Sequence, residues 1–234
     1  MKIKTSILPL FTVSTGVLGL IFRFWLNTAG TDKEGLVITN HPSVALMFIV
    51  AAVTFAVLGV CAWGMDKTPR PFSRSIAGAI GCVIAGVGVL ISCFMELVNS
   101  SDVMAIVSFV VGLLAVPCFL YAGFCRFKGT SCPLIPHVVT ILFFMVHLVM
   151  QYRVWCSVPQ LQDYFFPLLG SVFLLLSSFH RAGKDLKQNS EAAYLFFSQS
   201  ALFCCMLSLT GSSWPFYAAM TLWTTLDLFP RKEQ

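Results

Sequence analysis

The feature that most constrains this chain is a series of eight long apolar runs separated by short polar intervals. A helix needs roughly 20 apolar residues to cross a hydrocarbon core about 30 Å thick. Each run is close to that length, so each is a candidate membrane span. The runs lie at residues 7–26, 45–64, 76–98, 103–123, 135–154, 164–179, 192–209 and 214–229.

Composition excludes a water-soluble fold. The chain is 57% hydrophobic and only 11% charged, and its mean hydropathy is +0.84, whereas soluble domains carry roughly 25% charged residues. Backbone amides must be paired inside the lipid, and the runs lack the alternation of an outer-membrane barrel. The predicted fold class is therefore all-α: a polytopic transmembrane helical bundle of eight spans. No linker or soluble segment interrupts it, so residues 1–234 form a single integral membrane domain.

Lysine and arginine predict the orientation, because these residues are retained on the cytoplasmic side during insertion. With the N-terminus inside and eight spans, the outer side holds Arg23, Lys33 and Arg153, and the other basic residues fall inside. Both termini are then cytoplasmic, in a protein of the plasma (inner) membrane. The inner residues are Lys2, Lys4, Lys67, Arg70, Arg74, Arg126, Lys128, Arg181, Lys184, Lys187, Arg231 and Lys232.

Two pairs of similar segments indicate an internal repeat. The first span ends in "FRFW" around Arg23, and the fifth ends in "YRVW" around Arg153. The third span ends in "CFMELVNSS" and the seventh in "CCMLSLTGSS". These echoes predict a tandem four-plus-four arrangement with halves at 1–130 and 131–234, related by a pseudo-twofold axis along the membrane normal.

The third span carries small residues at regular spacing. Ala77, Gly81, Ala85 and Gly88 lie on one helical face, which allows a neighbouring backbone to approach closely. We expect this helix at the centre of the bundle.

Three ionisable residues fall toward the predicted outer edge of the hydrocarbon. By helical rise, Arg23, Glu96 and Arg153 all lie near the outer ends of their spans. In one interpretation the arginines extend to the headgroups beside their tryptophans. In the other, both arginines face the bundle interior and, with Glu96, bound an outward-opening site for an anionic small solute.

Further polar residues within the spans complete the candidate ligand-binding set. His147 lies in the fifth span, with Gln151 one turn later on the same face, and Gln199 lies near the middle of the seventh. Each must find polar partners inside the bundle, either as structural contacts between helices or as part of a pathway. His180 and Asp227 sit near predicted inner helix ends, where we expect headgroups and water to solvate them.

The cysteines predict neither a metal site nor a disulfide framework. There are nine, with no C-x-x-C motif, and most lie inside apolar runs. Cys118, Cys125 and Cys132 recur every seven residues, but they straddle a predicted span end and a loop. We predict no metal and no cofactor.

Charge and motifs narrow the function further. The net charge of +5 is dispersed over the inner segments, which argues against nucleic acid as a partner. Common hydrolase and phosphate-binding motifs such as H-E-x-x-H and G-x-S-x-G are absent, so the sequence predicts no catalytic site. We predict that the helices are embedded in a lipid bilayer.

The leading hypothesis is a small-solute permease, or the membrane subunit of a transporter, because repeated bundles with intramembrane polar residues are common among transporters. The first alternative is a non-transporting membrane protein that binds a membrane protein partner or lipid. The second is an enzyme acting on lipid headgroups, with His41 paired to Glu34 or Asp32.

Overall fold

The computed structural model describes residues 7–31, 41–64, 74–99, 102–156, 164–186, 191–211 and 213–228. Within these ranges the chain is helical apart from its turns. A short 3-10 turn, Ser208–Thr210, continues the seventh helix. The α-helices are α1 (Ile7–Ala29), α2 (Pro42–Trp63), α3 (Ile76–Asn99), α4 (Val103–Lys128), α5 (Leu134–Trp155), α6 (Phe165–Asp185), α7 (Glu191–Leu207) and α8 (Trp214–Leu228).

The helices confirm an all-α membrane bundle. Of the described residues, seven segments are long and apolar enough to cross a membrane, corresponding to α1 through α7. Helix α8 has 15 residues, which at about 1.5 Å per residue is shorter than the hydrocarbon thickness. The eighth span therefore stays a prediction.

Apolar residues on the outer surface also indicate a lipid environment. On α5, Ile135, Val138, Leu142, Met145 and Val149 are 43–75% exposed and follow one another at helical spacing. Exposing such a continuous apolar stripe to water is unfavourable, whereas contact with lipid chains is not. The membrane, rather than another part of the described chain, is the natural cover for this face.

Helices α3 to α8 form a closed ring, in which each helix packs on the next and α8 returns to α3. All of them contribute side chains to one buried core inside the ring. Aromatic residues fill much of it, with Phe119, Phe144 and Trp223 in mutual contact. The further core members include Cys82, Val89, Phe143, Leu174, Ala201, Cys205 and Phe216.

Helices α1 and α2 pack on the outside of this ring. Both contact α7, and they contact each other. Glycines set the closest approach: a Cβ at Gly16 would lie 2.5 Å from Met206 Sδ, and one at Gly19 would lie 2.6 Å from Leu207 Cδ1. The two glycines thus allow α1 to sit directly against α7.

The small-residue face of α3 does make a close contact, but α3 is not the central helix. A Cβ at Gly88 would lie only 2.0 Å from Ala219 Cβ, and one at Gly81 would lie 3.2 Å from Leu226 Cβ, so this face meets α8. The expectation of a central α3 was wrong: 67% of the apolar segment of α7 is buried, against 50% for α3. Helix α7 is central because it lines the ring and also supports α1 and α2.

The packing of the two halves differs. In the second half α6 packs extensively on α7, whereas α2 lies on α1 and α7 rather than along α3. The proposed counterparts α2 and α6 therefore have different neighbours. The four-plus-four repeat stays a prediction that these contacts do not support.

Candidate functional site

Polar residues gather at two opposite ends of the ring. The first group, the Glu96 cluster, consists of Glu96, Ser108, His147, Gln151 and Ser213. It lies where α3 and α5 end and where α4 and α8 begin. The second group, the Asp227 cluster, lies at the opposite end of the ring, around Asp227 near the end of α8.

The carboxylate of Glu96 is held by α4 and α5. Ser108 donates a hydrogen bond to Glu96 Oε2 at 3.4 Å, and Gln151 Nε2 donates to Glu96 Oε1 at 3.2 Å. The Gln151 amide also donates to Ser213 Oγ at 3.1 Å, just before α8. One carboxylate thus connects, directly or through Gln151, four elements at this end of the ring.

His147 lies beside this carboxylate but packs mainly against aromatic rings. Its Nδ1 is 3.7 Å from Glu96 Oε1, which is too long for a hydrogen bond. Its ring centroid is 4.1 Å from that of Phe216, and it stacks on Phe143. His147 Nε2 is buried and has no hydrogen-bond partner among the described residues. The imidazole therefore has one nitrogen available for a ligand or for water.

The two arginines do not meet at Glu96, which corrects the anionic site expected from the sequence. Arg153 pairs with Asp102 at 3.5 Å, and both side chains are about half exposed. Arg23 is buried on α1, whose neighbours are α2 and α7 rather than α3 or α5. The spacing predicted the position of each arginine along its helix, but the rotation of each helix about its axis decided what the side chain faces.

Gln199 lies apart from the Glu96 cluster. It is fully buried on α7, and neither its Nε2 nor its Oε1 has a hydrogen-bond partner among the described residues. The same is true of the neighbouring Ser200 hydroxyl. An unpaired buried amide costs about 1–3 kcal/mol, so this position is suited to hold a water molecule or a polar ligand group.

The Asp227 cluster consists of Arg126, His137, Arg181, Asp185, Tyr194 and Asp227, with the pair Lys184–Glu191 at its edge. Asp227 on α8 is its centre. Its Oδ1 lies 3.4 Å from Arg181 Nη2 and 3.9 Å from Arg126 Nε. Tyr194 donates a hydrogen bond to its Oδ2. These contacts join α4, α6, α7 and α8.

Asp185 at the end of α6 extends the network to α5. His137 Nε2 lies 2.8 Å from Asp185 Oδ2, and Arg126 Nη2 lies 4.0 Å from Asp185 Oδ1. At the edge, Lys184 Nζ is 3.4 Å from Glu191 Oε1 and lies over the ring of Tyr194. Three basic residues here face three acidic ones, so the formal charges balance without a bound ion.

This cluster was not predicted from the sequence. The fourth apolar run ends at residue 123 and the sixth at residue 179, shortly before the first charges, but α4 continues to Lys128 and α6 to Asp185. The sequence also predicted Asp227 in the headgroup region, whereas the side chain is only 5% exposed. The prediction for Asp227 was wrong because opposite charges on neighbouring helices neutralise one another inside the bundle. His180 is half-buried and stacks on Phe197.

Next to Asp185 lies a set of donor atoms suited to a metal. Cys132 Sγ and the ligand atoms of His137 and Asp185 all lie within 4.8 Å of one another, and the three residues are buried. Burial raises the pKa of the Cys132 thiol to about 12, with the neighbouring Cys125 thiol as a further cause. Of the regular cysteine series, Cys125 and Cys132 are both buried, while Cys118 is partly exposed.

His41 caps α2. Its Nδ1 lies 2.6 Å from Ser43 Oγ and accepts a longer contact from the Ser43 amide. Its proposed acidic partners, Glu34 and Asp32, lie outside the described residues, so the headgroup-enzyme alternative stays a prediction.

Comparisons with known protein families, with curated proteins and with solved structures found no match for this chain.

Proposed function

We propose that this membrane protein is a small-solute permease in which Glu96 binds a coupling proton or a cationic group of the solute. The observation that carries the proposal is the Glu96 carboxylate, which forms no ion pair with a lysine or arginine of the described residues and is held by neutral donors from α4 and α5. Ionisable residues inside helical bundles commonly line ion or proton pathways.

The charge at this site favours a cation or a proton over an anion. Among the described residues, the basic group within ion-pair distance of Glu96 is His147 at 3.7 Å, and Arg153 is paired elsewhere with Asp102. A lone carboxylate attracts positive charge and repels negative charge. The solute class therefore changes from the anion expected from the sequence to an organic cation or a proton-coupled neutral solute.

The arrangement also suits alternating access. The Glu96 cluster and the Asp227 cluster lie at opposite ends of one ring, with the aromatic core between them. Each cluster connects several helices through polar contacts, which can exchange for contacts with water or solute. In the predicted orientation the Glu96 cluster closes the outer end and the Asp227 cluster closes the cytoplasmic end.

The test is transport by the purified protein in proteoliposomes. The probes are a quaternary amine, a diamine and a basic amino acid, each radiolabelled, with a trapped pH-sensitive dye to report proton flux. We expect the wild-type protein to move at least one probe or protons. Glu96→Gln should abolish this flux. The amide keeps the shape, its oxygen can still accept from Gln151 and its NH2 group can donate to the Ser108 hydroxyl, but it cannot take up a proton or attract a cation.

Asp102→Asn is the matched control. Asp102 lies at the same end of the ring but is half exposed and paired with Arg153, so its replacement should leave the flux unchanged. Flux by Glu96→Gln equal to that of the wild type would contradict the proposal. Equal loss in both variants would also contradict it, since the effect would then not be specific to Glu96.

A non-transporting, partner-binding protein is the second candidate, and the filled interior of the ring favours it. Phe143, Phe144 and Phe216 are fully buried between the two clusters, which is the dry interior expected of a structural bundle. This candidate predicts that another membrane protein co-purifies in stoichiometric amount and that no probe crosses the proteoliposome membrane.

A further inference from the structure

We propose that Cys125, Cys132, His137 and Asp185 form a zinc site at the Asp227 end of the ring. None of these residues belongs to the Glu96 cluster that carries the transport proposal, whereas His137 and Asp185 are members of the Asp227 cluster. Metal binding is measured separately from transport, so the two proposals can fail separately. Two cysteines, one histidine and one carboxylate are a donor set that Zn²⁺ accepts in tetrahedral geometry.

The local fold explains why these residues meet. Gly129 ends α4 in a left-handed conformation, with φ of +73°. The amide of Thr130 then donates to the carbonyl of Cys125 at 3.0 Å. The chain therefore folds back over the last turn of α4, which carries Cys125, and the buried Cys132 follows two residues after Thr130.

The other two donors come from adjacent helix ends. His137 lies in the first turn of α5 and Asp185 is the last residue of α6, and their side chains are 2.8 Å apart. With metal–ligand distances of about 2.0–2.3 Å, tetrahedral ligand atoms are separated by roughly 3.3–3.8 Å. The ligand atoms of Cys132, His137 and Asp185 lie within 4.8 Å of one another. Movements of these three side chains by at most about one ångström would bring their ligand atoms to the tetrahedral separations around one ion.

The burial of the four proposed ligands and a free oxygen atom on Asp185 support the site. All four residues are at most 5% exposed. Asp185 Oδ1 accepts no hydrogen bond from the described residues, and its nearest cation, Arg126 Nη2, is 4.0 Å away. A buried carboxylate oxygen in this state retains a lone pair for a metal ion.

The electrostatics are also compatible with zinc. Binding of Zn²⁺ releases one proton from each thiol, so the net charge of the buried cluster does not change. Two thiolates and one carboxylate around Zn²⁺ leave a single negative charge, which the guanidinium of Arg126 can balance. In the predicted orientation this end faces the cytoplasm, where thiols stay reduced.

The first test uses the purified full chain in detergent, freed of metal by a chelator and titrated with Co²⁺ alone. We expect one equivalent to bind, with the intense visible absorption of tetrahedral Co²⁺ and a thiolate charge-transfer band. Zn²⁺ should displace it. Affinity should fall as the pH is lowered, because protons compete with the metal for both thiols and for His137. The absence of a thiolate band in the wild-type protein would overturn the proposal, and this measurement needs no variant.

The second test compares cysteine variants that elute as the wild type does in size exclusion. Cys132→Ser should weaken metal binding by about a hundredfold or more, and the thiolate band of the residual complex should lose about half its intensity because only Cys125 remains. Cys118→Ser is the matched control. Cys118 belongs to the same series but lies about two helical turns before Cys125 and is partly exposed. This variant should bind as the wild type does. Wild-type binding by Cys132→Ser would overturn the assignment.

Discussion

Ion pairs in this protein occur in two different environments. The pairs around Asp227 are buried, with Arg126, Arg181 and Asp227 each about 5% exposed. The pair between Arg153 and Asp102 is about half exposed. Removing one partner of a buried pair leaves an uncompensated charge, whereas water replaces the partner in an exposed pair.

This difference gives a prediction for stability. Asp227→Asn should lower the free energy of unfolding by about 3–5 kcal/mol, because two guanidinium groups lose their shared carboxylate in a buried site. Asp102→Asn should lower it by no more than about 1 kcal/mol. Thermal unfolding in detergent, followed by loss of the monodisperse fraction, measures both. Equal midpoints for the two variants would contradict the assignment of Asp227 as the centre of the buried cluster.

Residues around the Glu96 cluster show which side-chain positions helical spacing predicts and which it does not. The spacing of His147 and Gln151 placed both on one face of α5, and the structure brings both to Glu96. Helical rise also placed Arg153 at the same depth. It could not show that Arg153 points to Asp102, because the rotation of α5 depends on its packing against α4 and α6.

At the level of elements, glycines fix the distance between α3 and α8. A Cβ at Gly88 would lie 2.0 Å from Ala219 Cβ, so the two helices can touch only without that atom. By contrast, a Cβ at Gly59 in α2 would meet no atom within 4 Å. The same substitution should therefore have opposite effects at the two positions.

Gly88→Ala should lower the free energy of unfolding by about 1–3 kcal/mol, because the helices must separate. Gly59→Ala should be neutral or stabilising by up to about 1 kcal/mol, since alanine favours the helix. The double variant Gly88→Ala with Ala219→Gly returns the removed space and should recover much of the loss. Thermal unfolding of these variants in detergent is the measurement. Additive losses in the double variant would show that Gly88 and Ala219 do not limit the approach.

On the scale of the whole molecule, the two polar clusters lie at opposite ends of the ring. Cys156 provides a marker for one side, because it is exposed just after α5, at the Glu96 end, while the other cysteines are buried or half-buried. In the predicted orientation this residue faces outward. Its reactivity therefore tests the charge-based topology.

A membrane-impermeant maleimide should label the wild-type protein in intact spheroplasts, because the Cys156 thiol faces the medium. Cys156→Ser should lose most of this labelling. The degree of labelling is read from the mass of the purified protein. If the wild type is labelled only after the membrane is permeabilised, the orientation is inverted and the Glu96 cluster closes the cytoplasmic end.

The sequence by itself determined the fold class and the approximate position of each helix. It did so because burying unpaired backbone in lipid is so costly that twenty apolar residues in a row have almost no alternative to a helix. The same reasoning predicted how far Arg23, Glu96 and Arg153 lie along their helices. These properties depend on distance along one chain segment, which the sequence contains directly.

The tertiary structure alone decided which helices are neighbours and what each polar residue faces. It made α7 rather than α3 the central helix, separated Arg153 from Glu96, and joined Arg126, Asp185 and Asp227 in one buried cluster. A charge ends an apolar run when the run is considered alone, yet it lies stably inside the bundle when an opposite charge comes from another helix. That partner is distant in sequence, so only the packing of the helices reveals it.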